Sequence, residues 1–118
     1  MKDKISVIKL GYVGLPLAVS LSNFYYIYGI EVSNNRIEEL KKVIDKNKEI
    51  SKKKILNINL VKLKDINKFD VYIIGAQNFR TNVILKKIVS LAKTKKTLIS
   101  LFNNDLKLKS NNLNLINL

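Results

Sequence analysis

The sequence contains no cysteine and no histidine among its 118 residues. The lack of cysteine excludes a disulfide, a thiolate metal site and a cysteine nucleophile within this chain. The lack of histidine removes the commonest metal ligand and the usual proton carrier near neutral pH. Zinc and non-haem iron chemistry are therefore not expected here. The length predicts one domain with a single core.

Arginine is also scarce, although the formal net charge is +13. Only Arg36 and Arg80 are arginine, and the lysines are spread along the chain. Base recognition and paired contacts to phosphate favour arginine. The lysine excess therefore indicates solvated surfaces, and a basic nucleic-acid binder is the less favoured alternative.

Long apolar runs are absent, so no membrane span is expected. The first residues could pass for a signal peptide, because Met1 and three charged or polar positions precede an apolar stretch. Gly11, Gly14 and Pro16 interrupt that stretch, however. We therefore expect a cytoplasmic protein without a membrane partner.

Short apolar runs alternate with segments whose apolar residues recur at helical spacing. This alternation predicts an α/β fold, with a shortened, Rossmann-like, doubly wound parallel sheet of about five strands. The predicted strands are 4–9, 25–31, 59–64, 70–75 and 97–102, and the predicted helices are 13–23, 34–46 and 82–93, with a possible extra helical turn at 51–55.

The end of the chain differs in composition. Residues 103–118 are a low-complexity mixture dominated by asparagine, leucine and lysine. Their alternation could suit an edge strand, but no turn signal accompanies it, so we expect a loosely attached tail. The predicted organisation is a domain at 1–102 followed by this tail.

A glycine-bearing turn follows the first predicted strand and precedes an apolar helix. Unpaired N–H groups and the helix dipole converge at such a turn and form an anion site. The pattern G-x-G-x-x-G is matched by Gly11 and Gly14, with Lys9 at the first glycine position. Gly11 would let a pyrophosphate approach the N–H groups of Tyr12 and Val13, and Gly14 would allow close helix packing. The alternative is that both are ordinary turn and packing glycines.

The residues around the turn identify a family more specifically than the two glycines alone. Gly-Tyr-Val-Gly-Leu-Pro-Leu-Ala at 11–18 closely resembles the opening of the UDP-glucose/GDP-mannose dehydrogenase family, above all the branch that oxidises UDP-N-acetyl-hexosamines. The resemblance continues through 28–31, 35–42 and 70–74, covers roughly the first two thirds of the chain and then decays. It implies an N-terminal NAD-binding domain of an enzyme that oxidises a nucleotide sugar in polysaccharide precursor synthesis.

Two charged residues complete the predicted cofactor site. Glu31 stands about twenty residues beyond the glycines, where a carboxylate accepts hydrogen bonds from the adenosine ribose and favours NAD over NADP. Its alternative is an exposed acid at a strand end. Arg36 matches an arginine common in the family and could lie near the adenine, although we favour a surface position. The predicted cofactor-binding residues are Gly11, Tyr12, Val13, Gly14, Glu31 and Arg36.

Lys9 departs from the family pattern, because a side chain stands where the turn leaves little room. It could strain the turn, swing its ammonium outward or meet a phosphate as a point charge. We favour steric obstruction of the cofactor. The segments after the fourth and fifth predicted strands also differ. The family's Val-Pro-Thr-Pro and Glu-Ser-Thr-Val are replaced by Ala-Gln-Asn-Phe at 76–79 and Leu-Phe-Asn-Asn at 101–104.

The resemblance also implies that the catalytic machinery lies outside this chain. Members of the family use a cysteine nucleophile, a lysine and an asparagine from the central helical region, and a C-terminal domain that holds UDP. We therefore expect no catalysis by this chain alone, and no catalytic or metal-ligating residue is predicted. The expected partners are NAD and either the remainder of a split dehydrogenase or a second copy. The alternative is a non-enzymatic remnant or interaction module that does not bind NAD.

Overall fold

The computed structural model describes residues 4–42, 58–76, 78–100 and 113–117. They form a parallel six-stranded sheet flanked by helices, with strand order β3-β2-β1-β4-β5-β6, which confirms the predicted fold class. The strands are β1 (Ile5–Ile8), β2 (Ile27–Ile30), β3 (Asn59–Leu60), β4 (Val71–Ile74), β5 (Lys96–Ser100) and β6 (Leu113–Asn117), and the helices are α1 (Gly14–Leu21), α2 (Asn34–Lys41) and α3 (Phe79–Leu91), with a 3-10 turn at Leu63–Asp65.

Strand β1 lies at the centre of the sheet. Ile5 is in register with Ile27 of β2 on one side and with Val71 of β4 on the other. Successive side chains of a strand point to opposite faces. Val7 accordingly packs in the core cluster that contains residues of α1 and α2, while Ile8 packs in the cluster that contains residues of α3. The apolar run at the start of the sequence thus contributes to both layers.

Side-chain caps fix the starts of two helices. Ser33 caps α2, since its Oγ accepts a hydrogen bond from the N–H of Arg36 at 3.3 Å. Asn78 caps α3 in the same way, with its Oδ1 accepting from the N–H of Thr81 at 2.9 Å. Such caps satisfy backbone donors that have no partner inside the helix. The structure therefore begins α3 at Phe79, three residues before the predicted start.

The sheet has one strand more than predicted. The additional strand, β6, comes from the segment expected to be a loose tail, and Leu113 and Leu115 pack against the α3-side core. Its five residues pair in parallel with β5, so this part is tied to the sheet by backbone hydrogen bonds. The boundary at residue 102, the end of the predicted second helix and the possible turn at 51–55 lie outside the described residues.

A buried tyrosine ties the loop before β4 to the sheet. The hydroxyl of Tyr72 donates to the carbonyl of Ile66 at 2.5 Å and accepts from the N–H of Phe69 at 3.3 Å. Burial, assisted by the nearby Asp70 carboxylate, raises the pKa of Tyr72 to about 12, against the opposing backbone hydrogen bond from Phe69. This phenol therefore favours its neutral form.

Within the described part of the chain, no helix combines the length and the apolar character that crossing a membrane requires.

Candidate functional site

The carboxyl ends of β1 and β2 meet at one edge of the sheet. The N–H of Lys9, directly after β1, donates to the carbonyl of Ile30 at 2.7 Å. On the other side, the N–H of Gly75 donates to the carbonyl of Ile8 at 2.8 Å. Ligands of parallel α/β sheets bind beyond this edge, where the strand order changes direction. The turn between β1 and α1 therefore lies where a ligand crevice is expected.

Two glycines allow the turn to pack against its neighbours. A Cβ at Gly14 would lie 1.8 Å from the carbonyl oxygen of Lys9, and one at Gly75 would lie 2.6 Å from the same oxygen. Real Cβ atoms do not approach backbone this closely, so both positions exclude a side chain. Gly14 matches its predicted packing role. Gly75 was not predicted, although a glycine directly after a buried strand was a visible signal.

Gly11 has a different environment. A Cβ there would meet only the Cε of Lys9 within 4 Å, at 3.8 Å, so its outer face is otherwise open. Tyr12 and Val13 follow with 72% and 42% of their surface exposed. No hydrogen-bond acceptor for their N–H groups is found among residues 4–42, 58–76, 78–100 and 113–117. These two donors precede the N-terminus of α1, an arrangement that suits an anion.

Glu31 points toward the glycine turn. Its Oε1 accepts from the N–H of Leu10 at 3.0 Å, and its Oε2 accepts from the N–H of Ser33 at 2.9 Å. The side chain is fully buried. The alternative of an exposed strand-end acid is therefore wrong, because the two backbone donors hold the carboxylate inside.

Lys9 is the one residue other than glycine with a positive φ among the described residues, at 74°. This left-handed conformation costs a residue with a Cβ about 1–2 kcal/mol relative to its usual conformations. The side chain turns inward, and its Nζ lies 3.0 Å from Oε2 of Glu31. Strain was among the predicted alternatives, but the buried partner was not.

Arg36 joins α2 to the same turn. Its Nε donates to the carbonyl of Leu10 at 2.7 Å, and its guanidinium also pairs with Glu39 at 3.3 Å. Only 8% of the residue is exposed, so the favoured surface position was wrong. The hydrogen bond to the turn explains the burial, because it satisfies a carbonyl that faces α2. Leu10 is thus held by Glu31 at its N–H and by Arg36 at its carbonyl.

The opposite side of the crevice is described only in part. Asn78 is used as the cap of α3, and Phe79 is 81% exposed at the start of that helix. Residue 77, in the replaced segment after β4, and residues 101–104, which replace the segment after β5, lie outside the described residues. Among the described residues, no group of three or more carboxylates is placed to hold a metal ion.

A parallel sheet whose first strand ends in a glycine turn and whose second strand ends in an acid facing that turn defines a Rossmann-type domain. No family model matches the chain. It is 38% identical to protein CapL of Staphylococcus aureus over 78 residues, covering 64% of this chain and 18% of that protein. It is 35% identical to a UDP-N-acetyl-D-glucosamine 6-dehydrogenase of Pseudomonas aeruginosa over 79 residues, covering 63% and 19%.

The fold is also similar to that of a solved GDP-mannose dehydrogenase from Pseudomonas aeruginosa. The TM-score is 0.66 at 18% identity, over 82% of this chain and 28% of that one. The chain thus spans less than a fifth of the length of the two curated relatives. The resemblance to the UDP-glucose/GDP-mannose dehydrogenase family is confirmed, and this chain is similar to the family's N-terminal domain.

Proposed function

We propose that this chain is the NAD-binding part of a nucleotide-sugar 6-dehydrogenase that acts on a UDP-N-acetyl-hexosamine or UDP-glucose, and that it supplies no catalytic residue itself. The observation that carries the proposal is the meeting of Glu31 with the glycine turn through the N–H of Leu10. This contact brings the acid that would bind the ribose to the turn that would bind the pyrophosphate.

Each predicted residue then has a role that its surroundings support. The open face of Gly11 admits the pyrophosphate, and the N–H groups of Tyr12 and Val13 donate to its oxygens. Gly14 keeps α1 against the turn. Arg36 acts through the turn rather than on the adenine, because its Nε is engaged by the Leu10 carbonyl. The cofactor supplies hydride acceptance, and these residues bind and orient it.

The sugar-oxidising chemistry would come from elsewhere. The chain contains no cysteine, so the thiol implied by the resemblance has to be provided by another segment or another chain. The partner would be the remainder of a split dehydrogenase, and self-association is the alternative. A cytoplasmic location and a part in polysaccharide precursor synthesis belong to the same proposal.

A second candidate function is a remnant that keeps the sheet but does not bind NAD. Lys9 favours the remnant, because its ammonium already forms an ion pair with the buried carboxylate of Glu31. The two candidates predict different titrations. The NAD-binding domain should raise and saturate NADH fluorescence, whereas a remnant should leave NADH fluorescence unchanged at millimolar cofactor.

The test compares the wild-type chain with Gly11→Ala, whose added methyl group would meet the pyrophosphate but little of the protein. We expect wild-type binding to saturate and the variant to bind at least tenfold more weakly. No saturation in the wild type refutes the proposal. Binding to random duplex DNA that falls steeply with salt would favour the nucleic-acid alternative.

A further inference from the structure

The hydrogen bonds of Glu31 divide into fixed and removable donors. The N–H groups of Leu10 and Ser33 belong to the backbone and stay in place as long as the turn is folded. The third donor is the ammonium of Lys9, at the end of a flexible side chain. A carboxylate offers about four acceptor positions, so these donors leave little capacity for a ligand.

The same lysine connects the buried carboxylate with the partly exposed surface of the turn. None of the Glu31 side chain is exposed, whereas 23% of the Lys9 side chain is exposed. Lys9 therefore reaches from the partly exposed turn to the buried carboxylate, and its Cε also passes the otherwise open face of Gly11, 3.8 Å from where a Cβ would stand. A ribose hydroxyl that bonds to Oε2 of Glu31 would compete with this ammonium for the same oxygen.

Local backbone geometry explains why the side chain lies there. The positive φ of Lys9 directs its Cα–Cβ bond differently from the usual strand or helix conformations. The N–H of the same residue is fixed to the carbonyl of Ile30 in β2, which directly precedes Glu31. The left-handed turn and the strand pairing together hold the ammonium against the acid.

We propose, on the basis of the NAD-binding role proposed above, that Lys9 occupies the ribose subsite of this domain from within. Its ammonium holds the Glu31 carboxylate in place of the ribose hydroxyls, and a ribose hydroxyl has to displace it in order to reach Glu31, so that the gain from the new hydrogen bond is offset by the lost ion pair. Lys9 is thus a specificity-determining residue, because it weakens binding and removes the benefit of the 2′-hydroxyl.

The experiment measures binding of ADP and 2′-deoxy-ADP to the wild-type chain, Lys9→Gly and Lys9→Asn by calorimetry. Glycine and asparagine both accept the left-handed conformation, and neither places a charge near Glu31. Lys86→Asn is the matched control, since it removes one exposed lysine charge from α3. Urea unfolding of each variant verifies that it is folded.

We expect both Lys9 variants to bind ADP at least tenfold more tightly than the wild type, and Lys86→Asn to bind like the wild type. We expect the two nucleotides to differ by less than twofold in the wild type. In the Lys9 variants, ADP should bind about tenfold more tightly than 2′-deoxy-ADP, because Glu31 can then accept the hydroxyl.

Three results would overturn the inference. Equal ADP affinity in the wild type and both Lys9 variants would show that the ammonium is no competitor, and would leave the NAD-binding proposal standing. Weaker binding in the Lys9 variants would show that Lys9 contacts the phosphates. Absence of ADP binding to every protein at millimolar concentration would overturn the inference together with the proposed function.

Discussion

Replacing Gly14 and Gly11 by alanine makes the same chemical change at two positions of one turn, with opposite expected effects. At Gly14 the new Cβ would lie 1.8 Å from the backbone oxygen of Lys9 and 3.0 Å from its carbonyl carbon. Since contacts below 3.0 Å are not tolerated, α1 has to move away from the turn by about 1 Å or more. Neither glycine has a positive φ, so backbone strain does not contribute.

The magnitude follows from overpacking against a backbone atom that cannot rotate away. Overpacking costs about 1–3 kcal/mol where side chains adjust, and we expect at least about 3 kcal/mol for Gly14→Ala. At Gly11 the nearest atom would be a flexible lysine carbon at 3.8 Å, an ordinary contact. Gly11→Ala should therefore change the free energy of unfolding by less than about 1 kcal/mol, with a slight gain from the restricted unfolded chain.

Urea denaturation followed by circular dichroism measures both variants. With a slope near 2 kcal/mol/M, a loss of about 3 kcal/mol lowers the unfolding midpoint of Gly14→Ala by about 1.5 M. The midpoint of Gly11→Ala should stay within about 0.5 M of the wild type. A Gly14→Ala protein as stable as the wild type, or a Gly11→Ala protein equally destabilised, would refute the assignment of the two glycines.

Two further substitutions test groups that hold the sheet and the turn. As pH rises from 10 toward 12, the wild type should lose up to about 2 kcal/mol of its free energy of unfolding through Tyr72, and Tyr72→Phe should not show this loss. In this pH range the phenol ionises in the unfolded chain but stays protonated in the folded one. Urea unfolding midpoints of both proteins at pH 8 and 11 test the prediction, and the same pH dependence in the variant as in the wild type would contradict it. Arg36→Met should lower the free energy of unfolding in urea by about 1–3 kcal/mol, because the Leu10 carbonyl loses its hydrogen bond from Nε. The same change at the exposed Arg80 should lower it by less than about 0.5 kcal/mol.

The sequence was sufficient for the fold and for the position of the turn. Strands and helices are recognised from local periods of apolar residues, which the sequence shows directly. The apolar run Ile5–Ile8 indicates a buried strand, and the glycines at 11 and 14 indicate a close approach of the next helix. β6 was harder to predict, because a parallel strand at the edge of a sheet has no hairpin turn beside it, and only its pairing with β5 identifies it. The start of α3 was missed, although Asn78 is a common capping residue.

The contacts that the structure shows around the turn were only partly predicted from the sequence. Glu31 was expected at the turn from its spacing, and its carboxylate does reach the N–H of Leu10. Its pairing with Lys9 depends on the side-by-side ends of β1 and β2, which are 22 residues apart in sequence. Arg36 was expected at the surface because arginine usually is, and its partner is a turn carbonyl 26 residues away. Such long-range polar contacts leave no local pattern.

The central position of β1 affects how the protein is made. Of the two neighbours of β1 in the sheet, β4 is the more distant in sequence. It begins 66 positions after β1, the same separation as between Lys4 and Asp70, which are joined by a hydrogen bond. At about 5–20 residues per second, translation takes roughly 3 to 13 s to supply that second edge. Until then at least one side of this apolar strand has no partner, and its backbone groups remain open to pairing with other extended segments.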